Sequence, residues 1–316
     1  MQGRALPKRE RNADTGLIAL SARRRRAGKV ATLVCITALA ASPPAKALDN
    51  APGDYEPLPD GSNIAQVSFR YGNSTHLHLK DVGNVPDSSM TSKFAIGRMV
   101  HYEDVGGIIL SPQIIVPYGT IMQAKIGGQK VESAIGFGDP LLACQFGLLN
   151  QPRDHRYIGI GTGIFVPVGT YHKGDTLNVG ENRWKGVLQV GFVQGLVDGF
   201  TLDLTVDATF YGDNSEAGTG RQTLSQERSH QVQPWLRYAL TPKSTIAVGY
   251  SKTFGGTQKL DDVANGFQTN AQQIRLEYQH LLTSRVMVVG QAARDVAVTG
   301  GFNEDFRGTL RIGMLF

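Results

Sequence analysis

The chain has no run of about eighteen consecutive apolar residues, the length that a membrane-crossing helix needs, so helical spanning is excluded. Cysteine is almost as scarce. Cys35 lies in an N-terminal leader and Cys144 stands alone after it, which rules out an intrachain disulfide once the leader is removed. A basic surface is missing too. The formal charge is +5, yet the first 47 residues hold ten of the 32 Lys and Arg and only two of the 27 Asp and Glu. The remainder carries 22 basic and 25 acidic side chains, a net charge of −3, and offers no support for a nucleic-acid partner. Catalytic signatures are equally sparse. No G-x-S-x-G occurs, and the glycine-rich GIGTGIF opens no helix that could receive phosphate.

What the N-terminus does contain is orderly. RRRRAGKV is a positively charged start, ATLVCITALAA (31–41) is a short apolar core, and SPPAKA ends in a small-x-small pattern. This reads as a secretory signal peptide with cleavage after Ala47. Val34 before Cys35 argues against a lipoprotein signal, which requires a small residue there. The expected organisation is an extension and signal peptide at 1–47, a periplasmic segment at 48–62 and a transmembrane barrel at 63–316.

From residue 63 onward the dominant signal is strict alternation. In FTLDLTVDATFY (200–211), Phe200, Leu202, Leu204, Val206, Ala208 and Phe210 share one face, with Thr201, Asp203, Thr205, Asp207, Thr209 and Tyr211 on the other. Strands in soluble domains average five or six residues, whereas a tilted membrane-crossing strand needs about 9–11. Twelve such segments are expected: 63–72, 92–102, 108–118, 136–149, 156–168, 186–197, 200–211, 229–240, 245–254, 271–282, 285–295 and 306–316. Arg98 and Pro112 interrupt the pattern of the second and third. Short connections alternate with long ones at 73–91, 119–135, 169–185, 212–228, 255–270 and 296–305. Short periplasmic turns alternating with long external loops are the layout of an outer-membrane barrel, and an even strand number puts both chain ends in the periplasm. The fold class is therefore all-β: a transmembrane up-and-down antiparallel β-barrel of about 12 strands in a Gram-negative outer membrane. A secreted soluble sandwich or lipocalin-like barrel would share the period but bury the apolar face. Against it stand the polar face, which mixes glycine with Arg, Asp, Gln and Thr, and the Tyr and Phe near strand ends.

The segment LDNAPGDYEPLPDGSNIAQVSFRYG carries a family resemblance. Its APGDY (51–55) and LPDGSN (58–63) resemble the opening of an outer-membrane family named for a meta-pathway of phenol degradation. GFGDP (136–140) and VPVGTYHKGDTLNVGENRW (166–184) are similar to two further pieces of that family, and Ser62 stands where it has threonine. The resemblance covers essentially the whole chain after the leader. It implies a barrel that takes up hydrophobic compounds, and it brings no catalytic residues.

No catalytic, cofactor or metal site is expected. Cys144 shares a face with Leu142, Phe146 and Leu148, where a thiol facing lipid is inert. His76 and His78 in THLHL would share a face but have no third ligand nearby. The acidic patches DNSE, LDD and FNED read as solvated loop tips. The glycines of GIGTGIF relieve crowding in the lumen or let the strand bend. By parity, Arg70, Asp203, Asp207, Arg237, Arg275, Glu277, Arg307 and Arg311 point into the lumen. Fully paired, they would form a network that fills a narrow barrel; lining water, they would set a transverse field selecting polar solutes. If the seventh and eighth strands pair with residue numbers summing near 440, Arg237 falls opposite Asp203. The segment 48–62 is placed to fold inward as a plug. The terminal GTLRIGMLF sends Leu310, Ile312, Met314 and Phe316 toward lipid, and its aromatic last residue resembles the signal read by outer-membrane assembly machinery. The expected partners are outer-membrane lipids and lipopolysaccharide, that machinery and a small hydrophobic solute. The leading function is a channel or transporter for small hydrophobic or aromatic compounds. A closed barrel acting through its external loops is the alternative, and an outer-membrane lipid hydrolase is a third reading.

Overall fold

The computed structural model describes residues 49–218 and 221–316. The leader at 1–47 and its cleavage site lie outside the described residues. Twelve strands form the wall: β1 (Asn63–Leu79), β2 (Ser89–His101), β3 (Ile108–Ile126), β4 (Leu141–Gln151), β5 (Arg156–Phe165), β6 (Lys185–Gly195), β7 (Phe200–Tyr211), β8 (Ser229–Thr241), β9 (Ser244–Gly255), β10 (Asn270–Leu281), β11 (Val286–Thr299) and β12 (Gly301–Leu315). Each pairs antiparallel with its neighbours in sequence, and β1 pairs with both β2 and β12, so the sheet closes on itself. Closure leaves no free edge, which is what lets a sheet cross hydrocarbon with every backbone group bonded. The seam runs to the last residue. Phe316 donates its N–H to the Asn63 carbonyl at 3.0 Å and accepts from the Asn63 N–H at 2.9 Å.

Alternation sorts the two faces in the sense opposite to a soluble protein. Gln233, Arg307 and Trp235 are 0, 1 and 1% exposed, whereas Leu310, Ile312 and Met314 are about half exposed. A continuous apolar exterior around a polar interior is stable only if lipid covers the outside. Aromatic pairs stand on that exterior: Tyr118 lies 4.9 Å from Phe137 and Phe200 lies 4.7 Å from Tyr238, ring centre to ring centre. Cys144 is half-buried, its Sγ 3.6 Å from the Gln145 carbonyl.

Three of the expected long loops are largely strand. β1 continues to Leu79, β3 to Ile126, and β12 begins at Gly301, so 296–305 holds only a tight turn about Gly300 (φ 85°). Above the lipid neither face of a strand needs to be oily, so the alternation that marks the lower halves fades while backbone pairing continues. One device organises this upper wall. The β1–β12 ladder skips Thr75 on one strand and Asp305 on the other. Asp305 Oδ2 accepts from the Thr75 N–H at 2.7 Å and from Thr75 Oγ1 at 2.6 Å, so each extra residue holds the other. An extra residue reverses the facing of everything beyond it. Outward Tyr71 therefore gives way to inward Leu77 and Leu79, which pack with Ile126, Phe267 and Phe302 into a small apolar cluster. FNED accordingly sits in β12, not in a loop tip. His76 and His78 lie in β1, with His76 exposed and 3.6 Å from Asp305.

The remaining long connections do not hang free. Asn214–Ala217, Gln222–Gln226, Gln258–Leu260 and Val263–Ala264 form a second small sheet around Ala217, Leu224 and Leu260. Arg183 ties it to the 166–184 loop by donating to Gln226 at 2.6 Å, and Gln226 donates to Thr269 at 3.1 Å.

Candidate functional site in the barrel lumen

Residues 49–56 lie inside the barrel, held by polar contacts to six strands. Asp49 accepts from Arg307 Nη1 at 2.8 Å, and Arg275 Nη1 stands 3.7 Å from its other oxygen. Asn50 donates its side-chain amide to Gln189 at 2.6 Å, and its carbonyl accepts from the Trp235 ring at 3.2 Å. Asp54 pairs with Arg98 at 2.9 Å, and Glu56 pairs with Arg237. The Gly53 N–H donates to Asp203 at 3.2 Å. The segment carries three carboxylates, and each meets an arginine that the wall sends inward. Charge-assisted bonds of this kind offset the cost of holding a short irregular segment away from water.

The wall residues singled out by parity meet in this interior. Arg237 donates to Asp203 from Nε at 2.6 Å and from Nη2 at 3.1 Å, a two-pronged pair. The register differs from the expected one: Arg237 stands opposite Thr201, and Asp203 opposite Trp235. A shift of two residues preserves the face, and the long guanidinium reaches its carboxylate on the diagonal. Arg275 donates to Gln233 at 3.1 Å and to the Tyr250 carbonyl at 3.2 Å, and its guanidinium lies 4.3 Å above the Trp235 ring. Arg307 also donates to Gln273 and stands 3.7 Å from Glu304. Glu277 accepts from Gln291 at 2.7 Å, and Asp207 accepts from Gln189 at 3.4 Å. Arg70 lies among Arg307, Asp49, Glu304 and Arg311, with no partner for its buried Nε among the described residues. Arg311 completes that group on the side of Glu277.

Other residues of the site escaped the sequence reading. Arg98 reads as a break in an apolar pattern, yet it is the lumen-facing residue of β2 and the partner of Asp54. Gln189, Gln231 and Gln233 are inward by the same parity as their charged neighbours, and that parity was the available signal. Tyr55 sits in APGDY, but nothing local shows that its partners lie more than a hundred residues away. Among the described residues no group of three or more His, Cys, Asp and Glu converges as a metal site.

At the loop end a second polar cluster is buried. Arg183 and Lys185 both pair with Glu181, whose own N–H donates to Asp139 at 2.8 Å. Burial pushes the Glu181 carboxyl up, but Lys185 and Arg183 outweigh it and hold the group at about 2. Asp139, which also accepts from the Gly169 N–H at 3.0 Å, is pushed upward by burial.

A closed barrel with an apolar exterior and a charged, partly filled lumen defines an outer-membrane β-barrel. The chain belongs to the family "Putative MetA-pathway of phenol degradation", which matches residues 67–312. No curated protein matches it. Among solved structures it is similar to an outer membrane channel from Pseudomonas putida F1, at 30% identity and a TM-score of 0.80 over 85% of this chain and 100% of that one. The translocator domain of autotransporter NalP from Neisseria meningitidis is similar at 9% identity and a TM-score of 0.49, over 94% of this chain and 97% of that one. The toluene transporter TodX of P. putida is similar at 8% identity and a TM-score of 0.45, over 82% and 89%. Neither of these last two bears on function.

Proposed function

We propose that the protein is an outer-membrane channel for uptake of small hydrophobic or aromatic compounds, exported by means of its leader. The observation that carries this reading is the nature of the filling. The lumen is occupied by a short irregular segment, residues 49–56, held by ion pairs and hydrogen bonds with Tyr55 as its one apolar anchor. Such an occupant is displaceable without unfolding the wall, and its departure would clear the lumen. The P. putida channel supports a channel reading, and the family's name supports aromatic compounds as its cargo. In this reading Arg70, Asp203, Asp207, Arg237, Arg275, Glu277, Arg307 and Arg311 line the path, and residues 49–56 are its plug. Lipid and lipopolysaccharide cover the apolar exterior, and the assembly machinery reads Phe316.

The test pairs growth on limiting phenol, with and without the gene, with conductance of the purified protein in planar bilayers. Slower growth of the deletion strain at limiting substrate, and conductance that rises when residues 49–56 are deleted, are the expected results. A barrel that stays sealed after that deletion overturns the proposal. One observation favours the alternative of a closed barrel acting through its loops: two long connections, 212–228 and 255–270, are built into a sheet of their own. That reading expects no permeation, and loss of surface binding when 212–228 is replaced by a short turn.

A further inference from the structure

Tyr55 is the only aromatic side chain of the inserted segment, and the wall is shaped to its ring. Three glycines of β5 and β6 lie under it. A methyl group on Gly191 would stand 2.2 Å from the ring carbons, one on Gly159 3.0 Å from Cδ1, and one on Gly161 2.7 Å from the hydroxyl oxygen. No side chain fits at these positions while the ring is present, and Gly159 and Gly191 are directly paired across the two strands. Tyr157 and Val193 add an apolar side. At the far end the Tyr55 hydroxyl donates to Gln189 Oε1 at 2.9 Å. Gln189 is held in that orientation because its Nε2 donates to Asp207 at 3.4 Å, which turns the amide oxygen toward the slot. Asp207 itself is buried, and its Oδ1 has no hydrogen-bond partner among the described residues.

The result is a flat, ring-sized slot with apolar walls and one oriented acceptor at its end, built into rigid strands. Its present occupant is a phenol carried on an irregular segment. We propose that this slot is a binding subsite for the phenolic ring of a permeating solute, with Tyr55 as its internal stand-in. The solute's ring replaces the Tyr55 ring against the glycines, and its hydroxyl donates to Gln189. This rests on the channel reading and names the chemistry of its cargo. A site built to accept a hydroxyl's hydrogen bond discriminates against the same ring without one, because Gln189 Oε1 then keeps only the bond from Asn50 and its second lone pair is left unfilled in a buried place. Tethering gives Tyr55 an effective concentration near the millimolar range, so the intact protein binds free phenol more weakly than the empty slot does.

The test measures binding of phenol and of toluene to the full-length protein, purified in detergent, by calorimetry. Tyr55→Ala vacates the slot without touching the wall. It is expected to bind one phenol per barrel at least about tenfold more tightly than the unmodified protein. It is also expected to prefer phenol to toluene by up to about tenfold, one hydrogen bond's worth. In the same background Gln189→Leu should erase that preference while keeping ring binding, and Gly191→Leu should abolish both. Retention of the folded barrel is checked by its heat-modifiable gel mobility. Equal phenol binding with and without Tyr55, or a phenol preference that survives Gln189→Leu, overturns the subsite. Growth on limiting phenol separates this from the channel reading. If deleting the gene leaves growth unchanged while Tyr55→Ala still binds phenol at Gln189, transport fails and the subsite stands. If growth depends on the gene while none of the variants alters phenol binding, the subsite alone fails.

Discussion

Asp49 accepts a hydrogen bond from Arg307 at 2.8 Å although 258 residues separate them in the chain. Arg307 lies on the last strand of the wall and Asp49 precedes the first, so the contact joins the inserted segment to the seam at which the barrel closes. Asp54 with Arg98 and Glu56 with Arg237 repeat the arrangement on β2 and β8. The segment thus supplies three further carboxylates to guanidinium groups of the wall, of which Arg237 also pairs with Asp203 and Arg307 also faces Glu304.

Replacing those carboxylates by amides tests this role. Removing one partner of a buried ion pair costs about 3 kcal/mol, because the other charge is left uncompensated in a poorly hydrated space. With Asp49→Asn, Asp54→Asn and Glu56→Gln combined, residues 49–56 should lose their hold on the lumen. Single-barrel conductance in planar bilayers should rise, and the reversal potential in a salt gradient should move toward anions as Arg98, Arg275 and Arg307 face water. Unchanged conductance and selectivity would show that packing, not charge, retains the segment.

Glu181 makes the loop end sensitive to acid. Its carboxyl is held at about 2 against an ordinary value of 4.5. A depressed carboxyl contributes stability that is fully present above about 4.5 and is lost as pH falls toward 2, worth about 3 kcal/mol at most. Cleavage of the 166–184 loop by pepsin should therefore accelerate as pH drops through this window. In Glu181→Gln the loop should be cleaved readily at pH values above it as well, with little further change on acidification.

The lower halves of all twelve strands were legible because lipid on one side and a polar lumen on the other impose a period of two. That pressure ends where the wall leaves the membrane, so the upper parts of β1, β3 and β12 read as loops. The reversal of facing beyond Thr75 and Asp305 left no trace in the sequence, since a single extra residue looks like any other polar position. Parity alone assigned Arg237 and Asp203 to one face, but the partner register needed the structure: the two strands pair two residues away from the expected alignment. The segment 48–62 could be marked as an insert by its place before β1. Its contacts could not, because irregular chain has no periodicity and Tyr55 finds Gln189 134 positions onward. Of the glycines of GIGTGIF, expected to relieve crowding in the lumen or let the strand bend, two make room for one ring, that of Tyr55.

The paired bulge offers a sharp local test. Asp305→Ala removes both hydrogen bonds from Thr75, at a cost of about 1–3 kcal/mol. Amide hydrogen exchange should speed up across 74–79 and 301–304, where Leu77, Leu79 and Phe302 depend on the reversed facing. Exchange in the lower part of β1, from Ile64 to Tyr71, should stay as slow as before. Thr75→Val, which keeps the backbone bond and loses only the hydroxyl, should show a smaller change in the same amides.

A pair of variants separates the ring of Phe316 from its backbone. Its backbone bonds to Asn63 through both N–H and C=O, and its ring lies outward in line with Leu310, Ile312 and Met314. Deleting it removes the seam bonds and the ring together, whereas Phe316→Ser keeps the backbone pairing and removes only the ring. Loss of that ring from lipid costs about 2 kcal/mol, too little to unfold a closed barrel in which every strand is paired on both sides. Both variants should nevertheless lose most of the heat-modifiable, folded protein recovered from outer-membrane fractions, while Phe316→Ser refolded from denaturant into detergent should regain a normal barrel. That combination assigns the ring to recognition during assembly. Normal outer-membrane levels of Phe316→Ser would instead leave the terminal residue with the seam alone.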